Sequence, residues 1–192
     1  MYQTLLNDSK LYESLRELDE EIAAEWKEGD CGFCGEILHW ARYRRKPRGG
    51  PMESKTPYQF RLSFCCALCR LRTTPPSVLF LGRKVFFGAV VVLACALRHG
   101  AEGMVVSKLQ ELTGASQRTL RRWLKWWRED FVRSRFWASA RGRLKHPVEE
   151  GRLPRSLLDC FEAKEEGSRL RDLLRFLSPL SQAGCGSAED AR

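Results

Sequence analysis

SKLQELTGASQRTLRRWLKWWRED, residues Ser107 to Asp130, decides how the rest of the chain is read. It predicts two short helices joined by a tight turn. Ser107 and Gln110 have capping-box spacing, in which the hydroxyl accepts the Gln110 amide proton and the glutamine side chain reaches back. Leu109 and Leu112 give the first helix one apolar face, and Gly114 supplies the left-handed residue that ends it. Ser116 is the expected cap of the second helix, whose Leu120, Trp123, Leu124 and Trp127 recur at three- and four-residue steps. The opposite face carries Gln117, Arg118, Arg121, Arg122 and Lys125. A helix that opens with Gln and Arg, its apolar side held by the helix before it, has the docking geometry of a helix-turn-helix reader. The plainer reading of the same pattern is an amphipathic surface helix with a solvated basic face.

The charge distribution agrees with the sharper reading. Net charge over 192 residues is +9. Residues 1–30 carry three Lys/Arg against nine Asp/Glu, whereas residues 107–145 carry eleven basic residues against three acidic ones. A polyanion is the partner expected for the middle of the chain. An apolar fraction of 43% is enough for a core and excludes wholesale disorder. The longest apolar run, Val85 to Leu97, is shorter than the roughly 20 residues of a membrane span, so no membrane partner is expected. Met1 to Asp30 is acidic and helical in pattern, unlike a secretory leader. The eight cysteines are then expected to be thiols or metal ligands in a reducing compartment, the cytoplasm, with the protein associated with the nucleoid.

Upstream, Asp8 or Ser9 is expected to cap a helix running to about Lys27. Its buried stripe would be Leu11, Leu15, Leu18, Ile22 and Trp26, and its solvated face Glu17, Asp19, Glu20, Glu21 and Glu25. Cys31-Gly-Phe-Cys34-Gly follows, a knuckle that aims two thiolates at one metal. A strand is expected over Glu36 to Arg45, a Pro/Gly loop over Lys46 to Thr56, and a second strand over Tyr58 to Phe64. In that strand Tyr58, Phe60, Leu62 and Phe64 alternate with Gln59, Arg61 and Ser63. Cys66-Ala-Leu-Cys69 repeats the first knuckle, with 31 residues between Cys34 and Cys66. Knuckle, hairpin, knuckle is the layout of a zinc ribbon, and four thiolates make a closed, structural site with no open position for a metal-bound water. The ligands are Cys31, Cys34, Cys66 and Cys69, with Cys65 as the alternative to Cys66; buried free thiols are the plainer reading. His39 is read as a surface or packing residue. Arg42, Arg44, Arg45, Lys46 and Arg48, with Arg61, Arg70 and Arg72, make the hairpin basic and suited to phosphate contact.

Thr73 to Ser77, with Pro75 and Pro76, forces an extended bend. Lys84 to Arg98 reads as a helix apolar almost all round, hence buried, with Cys95 a core residue and Gly100 the stop. Ser134 to Leu153 reads as a basic linker. Pro154 is expected to open a helix to about Lys164, and Ser168 to Leu177 forms another with Leu170, Leu173, Leu174 and Leu177 on one face. Cys160 and Cys185 are read as free thiols, and the tail as disordered. The fold class expected is α+β, mainly α. Its parts are an acidic amphipathic helix (1–28), a zinc ribbon (29–74), a helix-turn-helix domain (75–133), the linker (134–153), C-terminal helices (154–180) and the tail (181–192).

Gly114 to Leu124, GASQRTLRRWL, resembles the helix-turn-helix of transposases and site-specific recombinases, with Thr113 a departure from the usual apolar residue that Leu112 is expected to cover. Together with Cys31, Cys34, Cys66, Cys69, Arg70 and Arg72 it resembles the N-terminal DNA-binding region of zinc-ribbon insertion-sequence transposases, over roughly residues 28–135. The resemblance implies that these two modules hold a transposon end while a separate domain cuts. The residues after Arg133 show no alternating strands that would present three metal-binding carboxylates. The expectation is therefore a non-enzymatic, zinc-dependent, sequence-specific binder of double-stranded DNA, a regulator or accessory factor of a mobile element. Gln117, Arg118, Arg121 and Arg122 would face base edges, and Lys108, Lys125, Arg128, Arg44 and Arg45 the phosphates. The alternatives are a DNA-binding subunit or fragment of a transposase whose carboxylates lie on another chain, and a zinc-ribbon module that binds protein. Homodimer or transposase contact is expected through the N- or C-terminal helices.

Overall fold

The computed structural model describes residues 2–51, 56–81, 85–99 and 104–182. The expected helix stop at Gly100, Cys185 and the tail beyond Gln182 lie outside them. The fold is α+β and mainly helical. A short helix α1 (Tyr2–Leu5) leads into α2 (Ser9–Glu28), capped by Asp8, whose carboxylate accepts from the Lys10 and Leu11 amides at 3.0 and 3.4 Å. Strands β1 (Leu38–Arg44), β2 (Phe60–Cys66) and β3 (Arg72–Thr73) form an antiparallel sheet in the order β1-β2-β3. The helices α3 (Gly88–Arg98), α4 (Val106–Thr113), α5 (Gln117–Lys125), α6 (Arg135–Ala140), α7 (Arg155–Asp159) and α8 (Glu166–Leu177) follow. No helix among the described residues is long and apolar enough to cross a membrane.

The centre is α3. Every residue from Gly88 to Ala96 is buried, as an all-round apolar helix requires, and α1, α4, α5, α7 and α8 pack around it. It begins later than the periodicity predicts. Val85 to Phe87 stay outside the helix, because Phe86 bridges to Arg48 and Phe87 to Phe80, leaving Phe87 as the N-cap. One continuous core runs from Tyr2 to Leu177, so the front helix, the α4–α5 pair and the C-terminal helices are parts of one body. The apolar faces of α2 and α8 are spent inside it. Residues expected as a linker belong to it too. Trp137 of α6 is 2% exposed, packs at a tilt on Phe131 with ring centres 5.0 Å apart, and donates its indole N–H to Glu150 at 2.8 Å. The helix after Pro154 stops at Asp159 rather than near Lys164.

A second, small cluster of Ala23, Cys31, Leu38, Phe64 and Cys66 supports the sheet. Two seams tie it to the helical body. In the first, the Arg48–Gly50 loop lies against α3 and α2. Gly49 and Gly50 have φ of +71° and +73°, and a Cβ on them would meet Val90 and Tyr12 at 2.9 Å, so both conformation and space demand glycine.

The second seam is a buried polar clasp that overturns two expectations. Asp19 is on no solvated face: it is 6% exposed, and its carboxylate accepts from the Ser77 hydroxyl and the Val78 amide, each at 2.6 Å. Arg61 contacts no solvent-side phosphate: it is 3% exposed, 3.8 Å from Asp19, and donates to Ser181 Oγ and the Pro75 carbonyl. Burial raises the Asp19 carboxyl against the pull of Arg61, Ser77 and the amides of Val78 and Leu79. Both faces of β2 are therefore covered: Arg61 and Ser63 of the polar set are buried as well as Phe64 of the apolar set, whereas Phe60 is 41% exposed. Trp26, expected on the buried stripe of α2, is 39% exposed.

Candidate metal centre and candidate nucleic-acid interface

Cys31 and Cys34 lie in the turn after α2, and Cys66 and Cys69 at the turn from β2 to β3. The β1–β2 pairing, with Leu38 opposite Cys66, carries both turns to one end of the sheet. The turns are built alike. Cys31 N–H donates to the Glu36 carbonyl at 2.9 Å, and Cys66 N–H donates to the Leu71 carbonyl at 3.0 Å, the same five-residue step. The residue after each second cysteine is left-handed, Gly35 at φ 71° and Arg70 at φ 62°. The Glu36 amide hydrogen-bonds the Cys34 sulfur, as the Leu71 amide does that of Cys69.

These repeats bring the four sulfurs within 4.8 Å of one another, with Cys34–Cys66 at 3.4 Å and Cys31–Cys69 at 3.7 Å. A tetrahedron with metal–sulfur bonds of about 2.3 Å has edges of about 3.8 Å. The donor set thus fits one metal ion, and thiolates with amide hydrogen bonds suit a borderline-soft ion. Burial opposes ionisation of Cys66, but the Cys69 and Leu68 amides and the neighbouring thiols hold it down at about 6. At Cys69 the Leu71 amide favours the thiolate, yet burial and the other three thiols outweigh it and push the group up to about 12. Cys65 stands apart, its thiol turned to the Arg70 and Cys66 carbonyls at 3.6 and 3.8 Å. Strand alternation decides between the adjacent cysteines, and Cys66 joins the cluster. His39 is exposed opposite Cys65, outside it.

Packed on α3, α4 and α5 are joined by Gly114, Ala115 and Ser116. Gly114 has φ 66° and ends α4, and Ser116 Oγ accepts from the Thr119 amide at 3.3 Å, both as expected. Ser107 does not cap α4. The Met104 amide donates to Leu97 at 3.1 Å and fixes an earlier start, with Val105 at the N-cap. Thr113 occupies the place under the turn itself, 4% exposed, donating to the Leu109 carbonyl at 2.6 Å and accepting from Ala115 at 3.2 Å. Its hydroxyl is satisfied locally, so no apolar substitute is needed.

Leu120, Trp123 and Trp127 are buried beneath α5, and Phe86 meets Trp123 edge-on at 5.0 Å. The helix runs on as a π-helical turn, Trp126–Phe131. Gln117, Arg118, Arg121, Arg122, Lys125 and Arg128 are all exposed, as is Lys108 on α4. Arg121 reaches Gln117 at 3.5 Å and Lys125 pairs with Glu129 at 3.6 Å. On the sheet, Arg44 is exposed, 5.9 Å from the Phe60 ring centre, whereas Arg45 is half-buried with its guanidinium 5.0 Å over Phe80. Sequence reading missed the Asp19–Arg61 clasp and the outward Phe33 and Leu68 of the cysteine turns; a lone charged pair far apart in sequence leaves no periodic signal. No family model, curated protein or solved structure matches this chain.

Proposed function

We propose that the protein is a zinc-stabilised, sequence-specific binder of double-stranded DNA, non-enzymatic, and related in design to the DNA-binding region of insertion-sequence transposases. The single observation that carries this reading is the exposed face of α5. Five adjacent polar side chains, Gln117, Arg118, Arg121, Arg122 and Lys125, stand over a helix whose other side is fixed by Leu120, Trp123 and Trp127. A rigid helix after a three-residue turn, with Arg and Gln at its start, suits insertion into a major groove, where Arg pairs with guanine and Gln with adenine. Lys108, Lys125, Arg128 and Arg44 supply phosphate contacts; Arg45, laid on aromatic rings, supplies stiffness to the hairpin instead. Zinc on Cys31, Cys34, Cys66 and Cys69 holds the ribbon and is structural.

Selection of bound duplexes from a random pool at two salt concentrations, with zinc measured on the same sample, tests both halves. The expected result is an enriched motif, one zinc per chain, and affinity that falls steeply with salt. Recovery of random duplex only would defeat the sequence-reading role.

A further inference from the structure

Four of the nine large hydrophobic side chains exposed among the described residues sit on or beside the two metal turns. Phe33, Ile37, Leu68 and Leu71 are 74%, 59%, 68% and 46% exposed. Phe33 and Leu68 hold the same position, third in each Cys-x-x-Cys, and the bond from the Ala67 amide to the Ile37 carbonyl at 3.0 Å sets the two turns side by side. A metal-binding turn needs its cysteines, its amides and a left-handed residue; nothing in it calls for apolar tips in water. Isolated exposed hydrophobics are ordinary, but four grouped on one end mark a contact surface.

The charges beside these tips say what covers them. The first turn is flanked by Glu28, Asp30 and Glu36, and the second by Arg70 and Arg72. None of the five forms an ion pair among the described residues. The turns are thus alike in backbone and in apolar tip but opposite in charge. An acidic partner would suit the second turn and be repelled by the first, and a basic partner the reverse. A second copy related by a twofold axis suits both: its first turn meets the second turn here, and the converse contact is made at the same time.

We propose that the metal end is a self-association surface, on which two copies of this chain pack first turn against second turn. The apolar centre is Phe33, Ile37, Leu68 and Leu71, and the rim pairs Asp30 and Glu28 with Arg70 and Arg72 of the other copy. Each contact occurs twice, so a substitution acts twice. An apolar anchor contributing about tenfold per copy changes the dimer constant by about a hundredfold.

The test is the mass of the zinc-loaded full chain in solution, across a dilution series and without DNA, so its failure is separable from failure of the DNA reading. The expected result is a dimer. Phe33→Ser and Leu68→Ser should each raise the dissociation constant about a hundredfold, with zinc content and helical circular dichroism unchanged. Asp30→Lys and Arg72→Glu should each weaken association, and the two together in one chain should restore it. A monomer at every concentration, or a dimer indifferent to Phe33→Ser and Leu68→Ser while zinc stays bound, would overturn the proposal. So would failure of the double charge reversal to recover what each single reversal lost.

Discussion

Asp19 illustrates how much can rest on one side chain. It accepts from the Ser77 hydroxyl and the Val78 amide, and it is the counter-charge of a buried arginine. Asp19→Ala should cost about 3–5 kcal/mol, because it strands a buried cation and orphans the Ser77 hydroxyl and the Val78 and Leu79 amides. Arg61→Met should cost less, since the carboxylate keeps its hydroxyl and amide donors. Urea unfolding of both variants checks the order, and equal losses would mean the ion pair, rather than the hydrogen bonds, dominates. The same scale separates the residues of α5. Arg118→Ala and Arg121→Ala should lose discrimination between target and random duplex by about 1–3 kcal/mol each, whereas Lys125→Ala should weaken both alike and lower the salt slope by about one. Competition binding against a scrambled site reads the difference. His99 gives a pH signature. Burial, then Arg128, Arg98 and Arg152, hold its imidazole below the ordinary value. Its stabilising contribution is therefore present above that ordinary value and lost as pH falls through the depressed one, because the unfolded chain takes the proton first. Thermal melts between pH 7.5 and 5 should show the loss, and His99→Gln should flatten it.

At the scale of elements, the sequence announces what is local. The Asp8 and Ser116 caps, the left-handed Gly114, the stripe of α8 and the paired Cys-x-x-Cys turns all depend on residues within a few positions of one another, and each forms as expected. What misleads is what distant partners decide. Ser107 loses its cap role to a bond between Met104 and Leu97; Phe87 leaves the helix for a bridge to Phe80; Arg61 turns inward because Asp19 is there. The basic run from Arg135 to Arg143 reads as linker until Trp137 finds the aromatic cluster of the π-helical turn. The metal turns supply the prediction at this level. Cys66→Ser should abolish stoichiometric zinc and Cys65→Ser should leave it intact, since only the first lies in the sulfur cluster. Metal analysis after dialysis distinguishes them. Acidification should release the ion, because protons compete for the thiolates.

For the molecule as a whole, the ribbon and the helical body are joined at two places, the glycine loop and the Asp19 clasp. Gly49→Ala should destabilise the entire protein in a single transition, since a methyl there meets Val90 at 2.9 Å and the left-handed backbone penalises it by a further 1–2 kcal/mol or so. Calorimetry that resolves two independent transitions would contradict this. The clasp also reaches the far end of the chain, where the Ser181 hydroxyl receives the Ser77 amide at 2.8 Å and Gln182 donates to Thr74 at 3.2 Å. A knife guided by the apparent module boundaries would therefore fail. Cut free at the Pro-Pro bend, the half that carries α5 would leave behind Tyr12, Leu15 and Asp19, baring an oily flank where they had sat. Anyone wishing to isolate the basic helix must carry the front helix and the cysteine turns along with it.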